Sequence, residues 1–176
     1  MPSRKIPQLF VPQLEAVLWQ SKDMFTDGEI SGVLIREFKQ YHDSRGWLGE
    51  TFRVDELCGY RPQMGYVSLT LPGITRGPHE HRDQTDYFCF IGQFTLYLWD
   101  NRKDSSTYLN RMVIENTDRL IVIVPPGVVH AYRNSAETGG MVLNFPDKLY
   151  AGWEKKEPVD EMRYENEAGS PFKVDG

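Results

Sequence analysis

The chain has 176 residues, a formal net charge of −5 and a hydrophobic content of 40%, which together predict one globular domain with a single core. Two cysteines are too few for a disulfide framework or for a cysteine-based zinc site. The acidic balance argues against nucleic acid as a partner, because nucleic-acid binders usually carry a basic excess. Only four histidines occur, so few residues are candidates for histidine chemistry.

In residues 1–30 the apolar residues follow neither a helical nor a strand spacing consistently, which predicts an N-terminal arm. Within it, residues 13–24 have a weakly helical pattern. No long apolar segment typical of a signal peptide follows the start. The longest uncharged apolar run, 120–124, is far shorter than the ~20 residues that span a bilayer. We therefore expect a cytoplasmic protein that does not enter a membrane.

From residue 31 onward the pattern changes to short apolar runs that alternate with turn residues and predict strands. These runs are 33–38, 47–54, 66–71, 87–91, 94–99, 112–115, 120–124, 130–133 and 141–145. Gly92-Gln93 predicts a tight turn between two of them. Without a long amphipathic helix, the pattern indicates an all-β sandwich or barrel over 31–176. Beyond residue 147 the chain becomes polar and irregular, which predicts a C-terminal tail that wraps the barrel.

Two segments bring three of the four histidines together. His79 and His81 are two residues apart, so in a strand they point to the same face. Asp86 follows, and its carboxylate reaches the same cavity if it returns on the neighbouring strand. A Pro-Pro-Gly turn at 125–127 then delivers His130 to the start of a later strand.

The spacing G-x5-H-x-H-x4-D-x5-G, followed by P-x-G-x2-H-x3-N, resembles the two motifs of the cupin superfamily. The resemblance implies a double-stranded β-helix, that is, a jelly-roll barrel. In metal-binding cupins the two histidines, an acidic residue and the later histidine hold the ion. The matching residues here are His79, His81, Asp86 and His130, with aspartate where glutamate is usual.

A narrower resemblance covers residues 32–153. Residues 43–50 resemble the D-x-R-G-x-F-x-E motif of the dTDP-4-dehydrorhamnose 3,5-epimerase family, and residues 76–79 resemble its R-G-x-H. Residues 99–105 and 126–130 resemble its V-D-x-R-x-x-S and P-x-G-x-x-H motifs, in the family's order. The resemblance implies a homodimer without a cofactor that acts on a nucleotide-diphosphate 4-keto-6-deoxysugar in deoxysugar or polysaccharide biosynthesis.

The implied reaction removes a proton next to a ketone and returns one to the opposite face, which inverts the carbon. Carried over by position, His79 matches the base, Tyr150 the acid and His130 a second histidine in the pocket. Imidazole suits a base at neutral pH. The implied substrate contacts are Arg45 and Arg76 at the diphosphate, Glu50 at the nucleotide end, and Gln63 from a Q-x-N contact whose asparagine is absent.

Two departures from the family pattern support competing hypotheses. The lysine that stabilises the enolate is replaced by Thr85 or Asp86, and the aspartate that orients the base falls on Asn166, with Glu165 or Asp160 as substitutes. A second hypothesis is therefore a metal-dependent cupin enzyme, in which one divalent ion on His79, His81, Asp86 and His130 acts as a Lewis acid. Asp86 can equally fix the tautomer of a histidine. The third hypothesis is a sugar-nucleotide binding protein without catalysis.

Overall fold

The computed structural model describes residues 24–57 and 59–175. This part of the chain contains thirteen strands: β1 (Thr26–Asp27), β2 (Leu34–Glu37), β3 (Gln40–Asp43), β4 (Gly46–Gly49), β5 (Tyr66–Thr70), β6 (Thr75–Glu80), β7 (Asp86–Ile91), β8 (Phe94–Asp100), β9 (Asn110–Ile114), β10 (Leu120–Val124), β11 (Val128–Asn134), β12 (Gly140–Asn144) and β13 (Met162–Arg163). Short 3₁₀ helices occupy Val54–Glu56, Trp153–Lys155 and Tyr164–Asn166.

Two sheets face each other. The first has the strand order β1, β9, β8, β11, β6, β13, and the second has the order β2, β10, β7, β12, β5. Most consecutive strands from β5 to β12 lie in alternate sheets, so the connections cross from one sheet to the other. This arrangement is the double-stranded β-helix, and it confirms the predicted all-β jelly-roll fold. β3 and β4 form a separate hairpin.

The core lies between the sheets, where the alternating apolar residues of both inner faces meet. On the inner faces Phe88 and Phe90 of β7 pack in one cluster with Leu96 and Leu98 of β8. The outer faces of the central strands are also buried, because Phe38 and Leu57 cover Tyr87, while Phe172 of the tail covers Trp99. Burial on both faces explains why β7 and β8 read as nearly continuous apolar runs.

Several predicted elements differ from the structure. The predicted strand 47–54 ends at Gly49, since a 3₁₀ helix follows at Val54–Glu56. Gly92-Gln93 does not close a hairpin: β7 and β8 pair with other strands and lie in different sheets. The short strands β1, β3 and β13 were not among the predicted runs, because none carries an apolar alternation of its own.

The predicted N-terminal arm lies largely outside the described residues, as does its helical stretch over 13–24. The described end of this segment, Thr26–Asp27, pairs in parallel with β9. The chain beyond β12 is irregular, with two 3₁₀ helices and a two-residue strand. Within the described ranges, the structure contains no helix of the length and apolarity needed to cross a membrane.

Candidate active site

A cavity of about 1,100 Å³ opens at one end of the barrel. Its wall combines residues of β5, β6 and β11 with the tail over 146–163. The volume is slightly above the usual range for small-molecule sites, about 300–1,000 Å³. The cavity therefore has room for a ligand larger than a simple sugar.

An irregularity in β6 determines which side chains reach this cavity. His79 is opposite His130 on β11, but the next pair is Arg76 with Tyr132, so Gly77 and Pro78 together stand opposite one residue. Such a bulge turns the strand locally. As a result Arg76 and His79 both line the cavity, although a regular strand would place residues three apart on opposite faces.

The bulge requires glycine at position 77. Gly77 has a φ of +90°, and a Cβ there would lie 2.6 Å from the backbone oxygen of His130. A larger residue would be strained and would push β6 away from β11. The glycine of the R-G-x-H pattern therefore maintains the contact between the strands that carry His79 and His130.

His79 is held by a carboxylate from the tail. β13 pairs with β6 and places Arg163 opposite His79, and the Tyr164 hydroxyl donates to Glu80 at 2.6 Å. The next residue, Glu165, then accepts a hydrogen bond of 2.8 Å from His79 Nε2 at its Oε1. Because Nε2 carries the proton in this bond, the lone pair of His79 is on Nδ1.

His81, Asp86 and His130 form a second group at the cavity wall. Asp86 Oδ2 lies 3.3 Å from His81 Nε2 and 3.6 Å from His130 Nε2. Asp86 is on β7 in the opposite sheet, so its carboxylate reaches the histidines across the barrel and not from a neighbouring strand. His79, the fourth predicted ligand, is not part of this group.

Burial shapes the electrostatics of this second group. It raises the pKa of Asp86, against the opposing effects of His81 and of hydrogen bonds from Asn144 and Gln84. Burial, together with the neighbouring histidines, lowers the pKa of His130 well below its ordinary value. The two effects favour the uncharged forms of both side chains.

Within residues 24–57 and 59–175, three tyrosines line the cavity: Tyr66, Tyr132 and Tyr150. Tyr132 is buried, and its hydroxyl lies 3.1 Å from Ser68 Oγ. Tyr66 accepts a hydrogen bond of 3.0 Å from Asn144. Burial raises the pKa of both Tyr66 and Tyr132, so these hydroxyls keep their protons. Tyr150, the residue predicted as the acid, is half exposed at the cavity mouth.

The cavity is lined by basic and by acidic side chains, and the acidic ones are Asp83, Asp147, Glu157, Asp160 and Glu161. Arg76 donates to Thr70 Oγ1 at 2.9 Å and to the Leu69 carbonyl at 3.0 Å, and it forms no ion pair within the described residues. Lys148 and Lys155 of the tail also line the cavity, together with the predicted substrate contact Gln63.

Two predicted substrate contacts lie elsewhere. Arg45 is at the tip of the β3–β4 hairpin, where its side chain is 88% exposed and pairs with Asp43. Glu50 follows the hairpin and lies 3.6 Å from Arg53. Neither lines the cavity of its own chain, because the hairpin is a separate sheet.

The motif at residues 99–105 has a structural role. Asp100 is fully buried and accepts hydrogen bonds from Arg102 at 2.8 Å and from the hydroxyls of Ser105 and Thr107 at 2.6 Å each. Burial alone would raise the pKa of Asp100, but these bonds outweigh it and lower the pKa to about 2. The bonds fix the loop between β8 and β9.

Some residues of the site are only weakly indicated by the sequence. Glu165 and Asp160 were the two candidates to replace the family's aspartate that orients the base. Glu165 accepts a hydrogen bond from His79, whereas Asp160 accepts hydrogen bonds from the backbone N–H groups of Arg82 and Asp83. Tyr132 follows His130 by two residues, a spacing that places both on one face. Asn144 and Gln84, which hold Asp86, gave no sequence signal because their contacts depend on the fold.

Comparisons with known proteins identify the family of the chain. A family model described as dTDP-4-dehydrorhamnose 3,5-epimerase matches residues 27–157. The "probable low-salt glycan biosynthesis epimerase Agl13" of Haloferax volcanii is 32% identical over 126 residues, which are 69% of this chain and 81% of that protein. The "spore coat polysaccharide biosynthesis protein SpsL" of Bacillus subtilis is 30% identical over 125 residues, 69% of this chain and 82% of that protein.

A solved structure confirms the fold. The dTDP sugar isomerase of Desulfovibrio desulfuricans G20 superposes with a TM-score of 0.68 at 20% identity, covering 82% of this chain and 91% of the other. The family match begins in β1, includes the hairpin that carries Arg45, and ends in the tail segment that lines the cavity. The chain therefore belongs to the dTDP-4-dehydrorhamnose 3,5-epimerase family.

Proposed function

We propose that this protein epimerises a carbon next to the ketone of a nucleotide-diphosphate 4-keto-6-deoxysugar, without a cofactor, in cytoplasmic deoxysugar or polysaccharide biosynthesis. The observation that carries this proposal is the His79–Glu165 pair, which presents an oriented imidazole to a cavity large enough for a sugar nucleotide. Family membership and the glycan and polysaccharide functions named for the two relatives support it.

His79 acts as the base in this proposal. Its Nε2–H is donated to Glu165, so Nδ1 is the nitrogen that accepts a proton from the substrate carbon. The carboxylate also stabilises the imidazolium that forms when the proton arrives. Nδ1 lies 3.6 Å from Glu161 Oε1, too far for Nδ1 to donate a hydrogen bond to this carboxylate, which agrees with a lone pair on Nδ1.

Tyrosine hydroxyls supply the remaining proton chemistry. Loss of the proton next to the ketone gives an enolate, whose oxygen needs a hydrogen-bond donor. The buried Tyr132 hydroxyl keeps its proton and faces the cavity two residues after His130, where it can donate to this oxygen. Tyr150 returns a proton to the opposite face of the carbon. The neutral imidazole of His130 completes the polar wall beside His79.

The diphosphate is placed at the rim near Arg76. The guanidinium fork suits phosphate oxygens, and the neutral partners of Arg76 leave its charge uncompensated. Lys148 and Lys155 also line the cavity and would add positive charge to a phosphate site. Gln63, which also lines the cavity, would supply a polar contact to the substrate.

We further propose that the protein is a homodimer in which Arg45 and Glu50 serve the cavity of the partner subunit. The β3–β4 hairpin exposes the large apolar side chains Tyr41, Trp47 and Leu48, which a monomer would leave in water. If this hairpin packs against a second copy of the chain, Arg45 could contact the diphosphate in the partner's cavity. This would explain why Arg45, which the family resemblance assigns to the diphosphate, does not line the cavity of its own chain.

Solvent exchange tests the reaction. We expect wild-type protein incubated in D₂O with dTDP-4-keto-6-deoxyglucose to incorporate deuterium next to the ketone, as measured by mass spectrometry. His79→Gln should slow exchange by at least about 100-fold, whereas the exposed His42→Gln should exchange at the wild-type rate. Exchange by His79→Gln at the wild-type rate would refute the assigned base. Binding of the nucleotide sugar without exchange would favour the non-catalytic hypothesis.

A further inference from the structure

Tyr66 of β5 reaches the cavity from the sheet opposite to the one that carries His79. We propose that its hydroxyl is a catalytic hydrogen-bond donor to the enolate oxygen, and that Asn144 and Asp86 are positioning residues that aim this hydroxyl. Tyr132 of β11 would donate to the same oxygen from the other sheet. This role rests on the proposed epimerase function and adds a second donor to the enolate.

The side-chain amide of Asn144 is held in one orientation. Its Oδ1 accepts a hydrogen bond of 2.9 Å from the backbone N–H of Tyr87. Since a backbone N–H can only donate, this bond distinguishes the oxygen of the amide from its nitrogen. Asn144 is fully buried at the end of β12, so both protons of its Nδ2 need acceptors within the protein.

Both protons of that amide are used. One is donated to Asp86 Oδ1 at 2.7 Å, and the other to the hydroxyl oxygen of Tyr66 at 3.0 Å. Asp86 Oδ1 also accepts a hydrogen bond of 2.9 Å from Gln84, which holds the carboxyl group in place. Asp86, Asn144 and Tyr66 thus form a chain of hydrogen bonds across three neighbouring strands, β7, β12 and β5.

This chain of hydrogen bonds determines where the hydroxyl proton of Tyr66 points. Because the oxygen of Tyr66 accepts from Asn144, its own proton is directed away from Asn144. In the described part of the chain, no acceptor for this proton lies within hydrogen-bond distance. Since Tyr66 lines the cavity, the proton is available to a ligand bound there.

Tyr66 and Tyr132 border the same region of the cavity. Ser68 is two residues from Tyr66 and on the same face of β5, and its Oγ lies 3.1 Å from the Tyr132 hydroxyl. The two hydroxyls therefore approach this region from opposite sheets. Two preorganised donors on one oxygen stabilise the charge that develops there during proton abstraction.

The surroundings of Tyr66 suit a donor that keeps its proton. Burial raises the pKa of Tyr66, and the nearby Asp86 and Tyr132 add to this effect. A phenolate at this position would therefore be costly. Tyr150, in contrast, is half exposed and can regain a proton from water. The hydroxyls accordingly have separate tasks, since Tyr66 stabilises the enolate and Tyr150 returns a proton to carbon.

In the reaction, the C–H bond next to the ketone breaks and its proton moves to His79 Nδ1. Its electron pair forms the C=C bond of the enolate, and negative charge develops on the former ketone oxygen. Tyr66 and Tyr132 donate hydrogen bonds to that oxygen without transferring their protons. When Tyr150 protonates the carbon, the ketone reforms, and solvent then removes the proton of His79 and restores that of Tyr150. Because the hydrogen bonds are strongest to the enolate, they lower the barrier of the chemical step.

Deuterium labelling and inversion, measured separately, test this role. Wild-type protein and variants are incubated in D₂O with dTDP-4-keto-6-deoxyglucose. Mass spectrometry follows the label in recovered substrate, and NMR follows the inverted product. We expect Tyr66→Phe to lower kcat for both by about 100-fold with little change in KM, because less enolate forms. Tyr150→Phe should lose inversion but still label the recovered substrate, since His79 can return a deuteron to the original face.

Tyr108→Phe is the matched control, because Tyr108 is exposed and does not line the cavity, and it should react at the wild-type rate. Equal kcat values for Tyr66→Phe and Tyr108→Phe would overturn the role of Tyr66. Loss of inversion alone in Tyr66→Phe would also overturn it, since Tyr66 would then be the acid. If the wild type neither labels nor inverts the substrate, the epimerase function itself fails, and the role of Tyr66 fails with it.

A double-mutant cycle tests the positioning by Asn144. Asn144→Ala should lower kcat by about 10-fold in the wild-type background and by little in the Tyr66→Phe background, because the amide acts through that hydroxyl. An equal loss in both backgrounds would overturn the positioning role. Thermal unfolding shows whether each variant is folded, and Tyr66→Phe decides the role of the hydroxyl by itself if Asn144→Ala does not fold.

Discussion

At the residue scale, two histidines on one face of one strand segment acquire different chemistry from their partners. His79 donates to a carboxylate, Glu165, which supports an imidazolium and therefore a base. His81 Nδ1 donates to a backbone carbonyl, so its other ring nitrogen, Nε2, is the one directed at Asp86. The partner of the second ring nitrogen thus determines the role of each ring.

Glu165 is accordingly a positioning residue for His79. We expect Glu165→Gln to lower kcat for deuterium exchange by about 100-fold with little change in KM, because the imidazolium loses its compensating charge. Glu165→Asp should recover part of the loss. The exposed carboxylate Glu167, two residues further on, provides the control Glu167→Gln, which should retain wild-type kcat. Equal rates for Glu165→Gln and Glu167→Gln would contradict this role.

Asp100 leads to a prediction about acid stability. Its folded-state pKa of about 2 is below the unfolded value of 3.8, so its stabilisation is present above about pH 4 and is lost as the pH falls toward 2. We expect wild-type protein to lose about 2 kcal/mol more unfolding free energy between pH 5 and pH 2 than Asp100→Asn does. The measurement is urea unfolding at several pH values.

Asp104, an exposed aspartate in the same loop, is the matched control for that prediction. Asp104→Asn should keep the pH dependence of the wild type. If Asp100→Asn also keeps it, the hydrogen bonds to Asp100 do not stabilise its charged form.

At the element scale, β6 organises the site through its alternation and its bulge. His79 and His81 face the cavity, while the intervening Glu80 is buried behind the strand and accepts from Tyr164 and Asn101. Glu80 thereby anchors the tail, which brings Glu165 to His79. The bulge at Gly77 adds Arg76 to the same wall. β6 and the residue that follows it thus bring His79, the proposed base, His81, and Arg76, the proposed phosphate contact, to one cavity.

The bulge yields a prediction with an internal control. Gly73 and Gly77 both have positive φ values, but a Cβ at Gly73 has nothing within 4 Å, whereas at Gly77 it meets the His130 oxygen. Both alanine variants carry backbone strain, and only Gly77→Ala adds a clash. We expect Gly77→Ala to lose about 1–3 kcal/mol more stability than Gly73→Ala, measured by urea unfolding. Equal losses would show that the close approach to β11 is unimportant.

At the scale of the whole molecule, the jelly roll brings together segments that are far apart in the chain. Asp86 and the histidines approach from opposite sheets, and the tail closes the cavity some 80 residues after His79. The β3–β4 hairpin is the exception, because it forms a separate two-stranded sheet with exposed aromatic residues. These exposed apolar side chains on a separate hairpin are the basis for the proposed dimer.

Complementation tests whether two subunits share one site. Arg45→Ala and His79→Gln should each be nearly inactive as homodimers. After the two are mixed under conditions that allow exchange of subunits, half of the dimers are mixed and each has one intact site, so about a quarter of wild-type activity should return. Recovery of no activity in proven mixed dimers would place Arg45 outside the partner's site.

The sequence predicted the fold class and most strands because alternation of apolar residues is a local property. It misplaced the partner of β7 and missed β13, since strand pairing depends on which sheet each segment joins. Of the site residues, His79, His130 and Arg76 were predicted at the cavity and lie there. The roles assigned to them remain predictions. Glu165 was one of two candidates, and only the pairing of β13 with β6 distinguished it from Asp160.

The sequence by itself determined the jelly-roll fold, the family and the identity of the histidine cluster, because these depend on residue spacing along single segments. Only the tertiary structure decided how that cluster is divided, with His79 paired to Glu165 and with His81 and His130 directed at Asp86. The physical reason is that a ring nitrogen takes its role from its hydrogen-bond partner, and these partners come from the opposite sheet and the tail.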